Sequence, residues 1–210
     1  MTSKKLTVGD LESARGEIFH MILFAMAWVM IGEFAVDFGD FLLPSIVVVA
    51  GVVVLALHSI KLYELEDYLA ETSDGALVES VRRKKRFRRY IWIFLFEGGA
   101  IMATWMVLLR TGKQDWLVPG FALIAGLHFF PLARAIRLKS YYWLGAWITA
   151  LALAGYWLTR TGALTTALGN ALIAYGCAAG AVADGAWIVL VPERILRGHG
   201  APGTGTGRER

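Results

Sequence analysis

The chain has 210 residues, 57% of them hydrophobic and only 18% charged, with eight tryptophans and a mean hydropathy of +0.55. A soluble domain carries about a quarter charged residues; here long apolar runs alternate with compact charged stretches, which excludes an ordinary soluble domain and points to the membrane. The net charge of +4 is gathered in short clusters, an argument against nucleic acid as a partner, and the single Cys177 excludes an intramolecular disulfide and a cysteine-based metal site.

Residues 1–17 form a charged N-terminal segment that runs as far as Glu17. The apolar run behind it is long and lacks a small-residue cleavage exit, so it reads as a retained signal anchor. Six runs are long enough to cross a hydrocarbon core of about 30 Å, which takes about 20 helical residues. They are expected at 18–38, 41–60, 90–109, 116–136, 141–159 and 164–191. Uninterrupted runs of this length exclude barrel strands, which are shorter and alternate in polarity. The fold class is therefore all-α, a polytopic bundle of six transmembrane helices occupying residues 18–192.

The 61–89 connection is the one sizeable polar insertion. LYELEDYLAE reads as an amphipathic helix, TSDG breaks it, and ALVESVRRKKRFRRY resumes a helix into the third span. Its basic run, from Arg82 to Arg89, is expected to anchor topology and to meet anionic lipid headgroups. The Gly-rich tail, 193–210, is expected to be disordered. Eighteen of the 21 Lys and Arg residues lie in the N-terminal segment, this insertion, the 134–139 turn and the tail. Arg110, Lys113 and Arg160 lie on the other side. The positive-inside rule then places both termini in the cytoplasm, in agreement with an even number of spans.

Ionisable groups at membrane depth are costly unless paired or wet, and mark functional hypotheses. At 1.5 Å per residue, Glu97 falls about 4–5 Å and His128 about 3 Å to the cytoplasmic side of their span midpoints, and Asp184 roughly 10 Å inward. The spans of Glu97 and His128 are consecutive and antiparallel, so these two side chains are expected to meet. They read as a structural pair, as part of a proton or ion pathway, or as a metal or cofactor site; no metal or cofactor is assigned. Pro131 cannot donate to the carbonyl of Leu127 and is expected to kink the fourth span beside His128. Gly176, Gly180 and Asp184 share one face of the sixth span, a helix-packing face within the chain or between copies of a homo-oligomer. Gly98, Gly99 and Ala100 are expected to let a helix approach beside Glu97. On the outer side, Glu33 and Asp37 lie four residues apart on one helical face, an acidic group expected to be solvated or paired with arginine. His20 and His58 are expected at the cytoplasmic interface. Tryptophans and tyrosines near the span ends, Trp92, Trp116 and Tyr141 among them, read as an aromatic belt.

No HExxH, Walker loop, CxxC, GxSxG or Rossmann pattern is present, and nothing argues for an enzyme. GLHFFPLAR followed by YYWLGAW, with FEGG in the third span, resembles a set of small bacterial multi-span membrane proteins of unknown function. In these an LHF-F/L-PLAR segment lies in a late span and a Tyr-Tyr pair opens the next. The resemblance covers about residues 88 to 190. It implies a protein of the bacterial cytoplasmic membrane and brings no activity, substrate or site. Three functions stay open: a small transporter or channel lined by Glu97, His128 and Asp184; a non-catalytic sensor or assembly factor acting through the 61–89 segment; and an intramembrane enzyme using His128 and a carboxylate.

Overall fold

A computed structural model describes the backbone of residues 8–35, 42–70, 76–136 and 138–198, and the side chains of 16–34, 43–60, 92–136 and 138–190. Among the described residues there are six α-helices and no strand: α1 (Val8–Ala35), α2 (Leu42–Ala70), α3 (Ala76–Arg110), α4 (Leu117–Ile136), α5 (Ser140–Arg160) and α6 (Thr166–Gly198), with a 3-10 turn at Gln114–Trp116. Five are long and apolar enough to cross a membrane: Gly16–Phe34, Leu43–Ile60, Trp92–Arg110, Gln114–Ile136 and Thr166–Leu190. α5 has 21 residues, enough to reach about 31 Å at 1.5 Å each. Its Trp and Tyr residues dilute its hydropathy, although no charged residue lies between Ser140 and Thr159.

Several helices overrun the expected spans. α2 continues through Lys61 to Ala70 and α3 begins at Ala76, so both arms of the basic insertion are helical extensions of spans, and the TSDG break falls outside the described residues. α6 passes Pro192 and stops at Gly198. Residues 193–198, expected in a disordered tail, are therefore helical. Ile195 and Leu196 continue the helical run, and the glycines beyond favour its ending there. Residues 199–210 lie outside the described residues.

α3 and α5 end alike, each on Arg-Thr-Gly with the glycine in the left-handed region (Gly112 φ 67°, Gly162 φ 76°). The N–H groups of Lys113 and Leu164 reach back five and six residues to the carbonyls of Leu108 and Leu158, at 2.9 and 3.1 Å. The orphan carbonyls of both helix ends are thus satisfied within the turn, and the chain reverses tightly into α4 and α6.

α6 is the hub of the bundle and packs on α1, α2, α4 and α5. Its buried positions are mostly small: Ala171, Ala174, Cys177, Ala178 and Ala181. Small residues allow helix backbones to approach where lipid offers no hydrophobic drive for association. Gly51 of α2 lies against Val182 and Gly32 of α1 against the Tyr175 ring. α4 and α5 cross most closely at Gly126 and Gly145. A Cβ on Gly126 would stand 2.8 Å from the Thr149 backbone nitrogen, and one on Gly145 would stand 2.8 Å from the Gly126 oxygen. α3 is peripheral and packs chiefly on α4. Contrary to expectation, Gly98 and Gly99 have nothing within 4 Å of an added Cβ. Phe94, Glu97, Thr104 and Leu108 lie on the edge of α3 that meets α4, and Gly98 and Gly99 lie beyond it.

Candidate functional site

Glu97 and His128 meet across the α3–α4 contact. Both are buried, and His128 Nδ1 lies 3.0 Å from Glu97 Oε1. The same nitrogen lies 2.6 Å from the carbonyl oxygen of Ala125, one turn back on α4. A carbonyl can only accept, so Nδ1 carries a proton and shares it between Ala125 and Glu97. The other ring nitrogen, Nε2, is buried with no hydrogen-bond partner among the described residues. The neutral ring therefore keeps a bare lone pair inside the bundle.

Aromatic rings close around this pair from four helices. Phe94 stands 5.8 Å from the His128 ring centroid and Phe129 stands 4.4 Å away. Phe129 is fully buried and meets Phe24 of α1 and Tyr141 of α5 edge-on, both at 5.3 Å. His20 joins the cluster from α1, 5.0 Å from Phe94 and 6.2 Å from Phe129. Sequence position put His20 at the interface; packing turns it inward, half-buried beside the His128 site. Glu17, three residues earlier on the same helical face, is also buried.

Pro131 lies inside α4, on a face of the helix that is turned away from this site. α4 is an unbroken α-helix from Leu117 to Ile136. Pro131 and Leu127, four residues apart, are both on the exposed face, so the freed carbonyl turns away from His128. Asp184 does not join the pair either. It is buried on the α5-facing side of α6 and lines a cleft with Ser140, Trp143 and Trp187. Gly176 and Gly180 belong to the same α5–α6 seam: Leu151 packs on the first and Trp147 on the second. The Trp147 indole N–H donates to the Gly176 carbonyl at 2.9 Å, so this small-residue face packs within the chain.

The second polar group lies nearer the other end. Glu33 of α1 faces inward, and Oε1 accepts from the Ser45 hydroxyl of α2 and from the Tyr175 hydroxyl of α6, the latter at 2.5 Å. Ser45 Oγ and Tyr175 Oη are themselves 2.9 Å apart. The expected solvated or arginine-paired carboxylate is instead a hydroxyl-bonded tie among three helices. Ser45 and Tyr175 escaped the sequence reading because neither is ionised at neutral pH, and only packing brings residues 12 and 142 positions from Glu33 beside it. Asp37 lies outside the described residues. Among the described residues, no three His, Cys, Asp or Glu side chains gather in a way that could hold a metal ion.

Comparison with protein-family models, curated proteins and solved structures finds no match to this chain. The class defined by the fold is a multi-pass helical membrane protein.

Proposed function

We propose that the protein moves protons, alone or coupled to a small solute, across the bacterial cytoplasmic membrane, with His128 as the proton carrier and Glu97 as its counter-charge. In this reading six spans, α5 included, put both termini on one side, the positive-inside rule favours the cytoplasm for that side, and the basic start of α3 would lie along anionic headgroups. One observation carries the reading: the buried His128 presents a bare Nε2 while Nδ1 is held by Ala125 and Glu97. A proton arriving at Nε2 makes an imidazolium whose charge sits 3.0 Å from the Glu97 carboxylate. His20, and Glu17 one turn from it, supply titratable groups between this pair and the N-terminal end of α1. Toward the other end α1 turns Ala25, Trp28 and Val29 inward, so passage requires a second conformation that wets this stretch.

The test is flux in liposomes holding a pH-sensitive dye, with an imposed pH gradient. Liposomes carrying the protein should dissipate it several-fold faster than empty ones. His128→Gln, which keeps size and a hydrogen-bonding group, should fold normally and fall to the empty-liposome rate. Equal rates for the two proteins would refute the role of His128. Reporter fusions at Lys113 and at the C-terminus should score on opposite sides; the same side would refute the topology.

A second reading, a non-catalytic assembly factor, draws support from α3. Phe96 is 80% exposed, Gly98 and Gly99 are uncovered, and the helix continues into the basic segment. Absence of flux from the wild type, with recovery of a specific protein partner lost on Phe96→Ala, would favour it.

A further inference from the structure

The cleft at the start of α5 and the far end of the α6 span is built unlike the rest of the surface. Its volume is about 680 Å³, within the range of about 300–1,000 Å³ seen for small-ligand sites, and it opens on one side. Three tryptophans form its walls: Trp143 is 79% exposed, Trp187 56% and Trp147 51%. Asp184 lies at its back, 8% exposed, with Oδ2 lacking any hydrogen-bond partner among the described residues. Ser140 Oγ beside it is also buried and without a partner. Lys139 lies at the rim, just ahead of α5; in the first turn of α5 the Tyr142 N–H donates to the Lys139 carbonyl, and those of Ser140 and Tyr141 precede any intrahelical acceptor.

A buried carboxylate oxygen without a well-aligned donor is costly, and the cleft's own lining offers Asp184 at most the neutral Ser140 hydroxyl and no cation in contact. The missing group must bring N–H or O–H donors, tolerate aromatic walls, and reach the cleft from its open side. A primary ammonium meets the first two conditions: it has three donors and is attracted to tryptophan faces. A phosphate next to that ammonium would fall toward the Lys139 rim and the α5 N-terminus. Asp184 lies six residues inside Leu190, the last residue of the α6 span, or about 9 Å at 1.5 Å per residue. A ligand lodged there with its hydrocarbon in the bilayer is an amphiphile. We infer that this cleft binds an aminophospholipid of the phosphatidylethanolamine class, its ammonium on Asp184 and its phosphate toward Lys139, with acyl chains leaving past Trp143 and Trp187. A trimethylammonium headgroup has no N–H to offer Oδ2 and should bind more weakly. A glycerol headgroup has hydroxyls but no cation.

The inference is independent of proton movement, and its test is a binding measurement. The full-length protein in mild detergent is titrated with phosphatidylethanolamine, phosphatidylcholine or phosphatidylglycerol of matched chains, and bound lipid is counted by native mass spectrometry. Phosphatidylethanolamine should bind about tenfold more tightly than phosphatidylcholine, the size of one charge-assisted hydrogen bond. Asp184→Asn should remove that preference. Lys139→Gln, at an exposed site where misfolding is not a concern, should weaken phosphatidylethanolamine and leave dodecylamine, which has no phosphate, unaffected. Equal affinity for phosphatidylethanolamine and phosphatidylcholine in the wild type would overturn the assignment, as would a preference that survives in Asp184→Asn. If dodecylamine bound as tightly as phosphatidylethanolamine and Lys139→Gln changed neither, the site would be one for free amphipathic amines, and the phospholipid assignment would fall.

Discussion

The bundle holds the half-buried carboxylate of Glu33 and the buried carboxylate of Glu97 in two different ways. Glu33 accepts from two hydroxyls on two other helices and is the common acceptor for both. Glu97 meets a single partner, His128, whose Nδ1 already has the closer carbonyl of Ala125. The first group is closed on itself: Glu33 Oε1 and the hydroxyls of Ser45 and Tyr175 are mutually engaged, and they tie α1, α2 and α6 together. The second is open, since Nε2 of His128 has no hydrogen-bond partner among the described residues and Glu97 can leave without stranding the Nδ1 donor. A buried polar network stabilises when complete and offers chemistry when incomplete. On the proposed reading, the difference gives the Glu33 group a structural role and leaves the Glu97–His128 group available for proton exchange.

Substitutions can break or sharpen this contrast. The largest effect is expected at the α4–α5 crossing that carries the Glu97–His128 site, where Gly126→Val would drive Cβ into the backbone at Thr149. Overpacking of this kind costs about 1–3 kcal/mol or more, so the folded yield and thermal midpoint in detergent should collapse. An unaffected midpoint would show that the crossing is looser than the contact indicates. Next, Glu33→Leu should cost about 1–3 kcal/mol, because the Ser45 and Tyr175 hydroxyls lose the acceptor they share. Glu97→Leu should cost less, since His128 keeps Ala125 as acceptor. Denaturant unfolding of the two variants side by side gives the comparison, and the reverse order would invert the assignment.

Smaller in stability but decisive for function is the pairing of Tyr175→Phe with His128→Gln. Tyr175→Phe removes one hydrogen bond, worth about 1 kcal/mol, and should leave proton flux intact. His128→Gln should change stability by less and abolish flux. If both variants transport equally, the Glu97–His128 group is no more functional than the Glu33 group. The smallest effect is expected from Pro131→Ala. It returns an N–H to the exposed Leu127 carbonyl, away from His128, and should leave flux unchanged and the midpoint equal or slightly raised. Loss of flux there would restore a functional kink.

Much of the architecture was legible in the linear pattern because the membrane imposes it. Backbone groups in hydrocarbon must bond within their own segment, so apolar runs of sufficient length become helices whatever their neighbours do. Five runs followed that rule by length and hydropathy alone, and α5 by length and its freedom from charge. The encounter of Glu97 with His128 was readable for a related reason: a short turn makes α3 and α4 antiparallel neighbours, and depth along each helix is a matter of counting. The Arg-Thr-Gly ends of α3 and α5 are similarly local.

Rotation and partnership were not readable, because they depend on which face each helix buries. Depth placed His20 at an interface; the packing of α1 on α6 turned it toward Phe129. Spacing put Glu33 with Asp37, whereas the approach of Gly32 to Tyr175 put it with two hydroxyls from distant segments. The same ignorance of facing assigned Gly98 and Gly99 to an interface that α3, peripheral in the bundle, does not make, and left unread that Leu127 and Pro131 lie on the exposed face of α4. Counting placed Asp184 with Glu97 and His128, yet α6 presents it to α5 and the tryptophan cleft instead of to His128. Span number and depth are one-dimensional properties written along the chain. Which side chains share a site is decided by helix azimuth, which is set when small residues on α6 admit their neighbours.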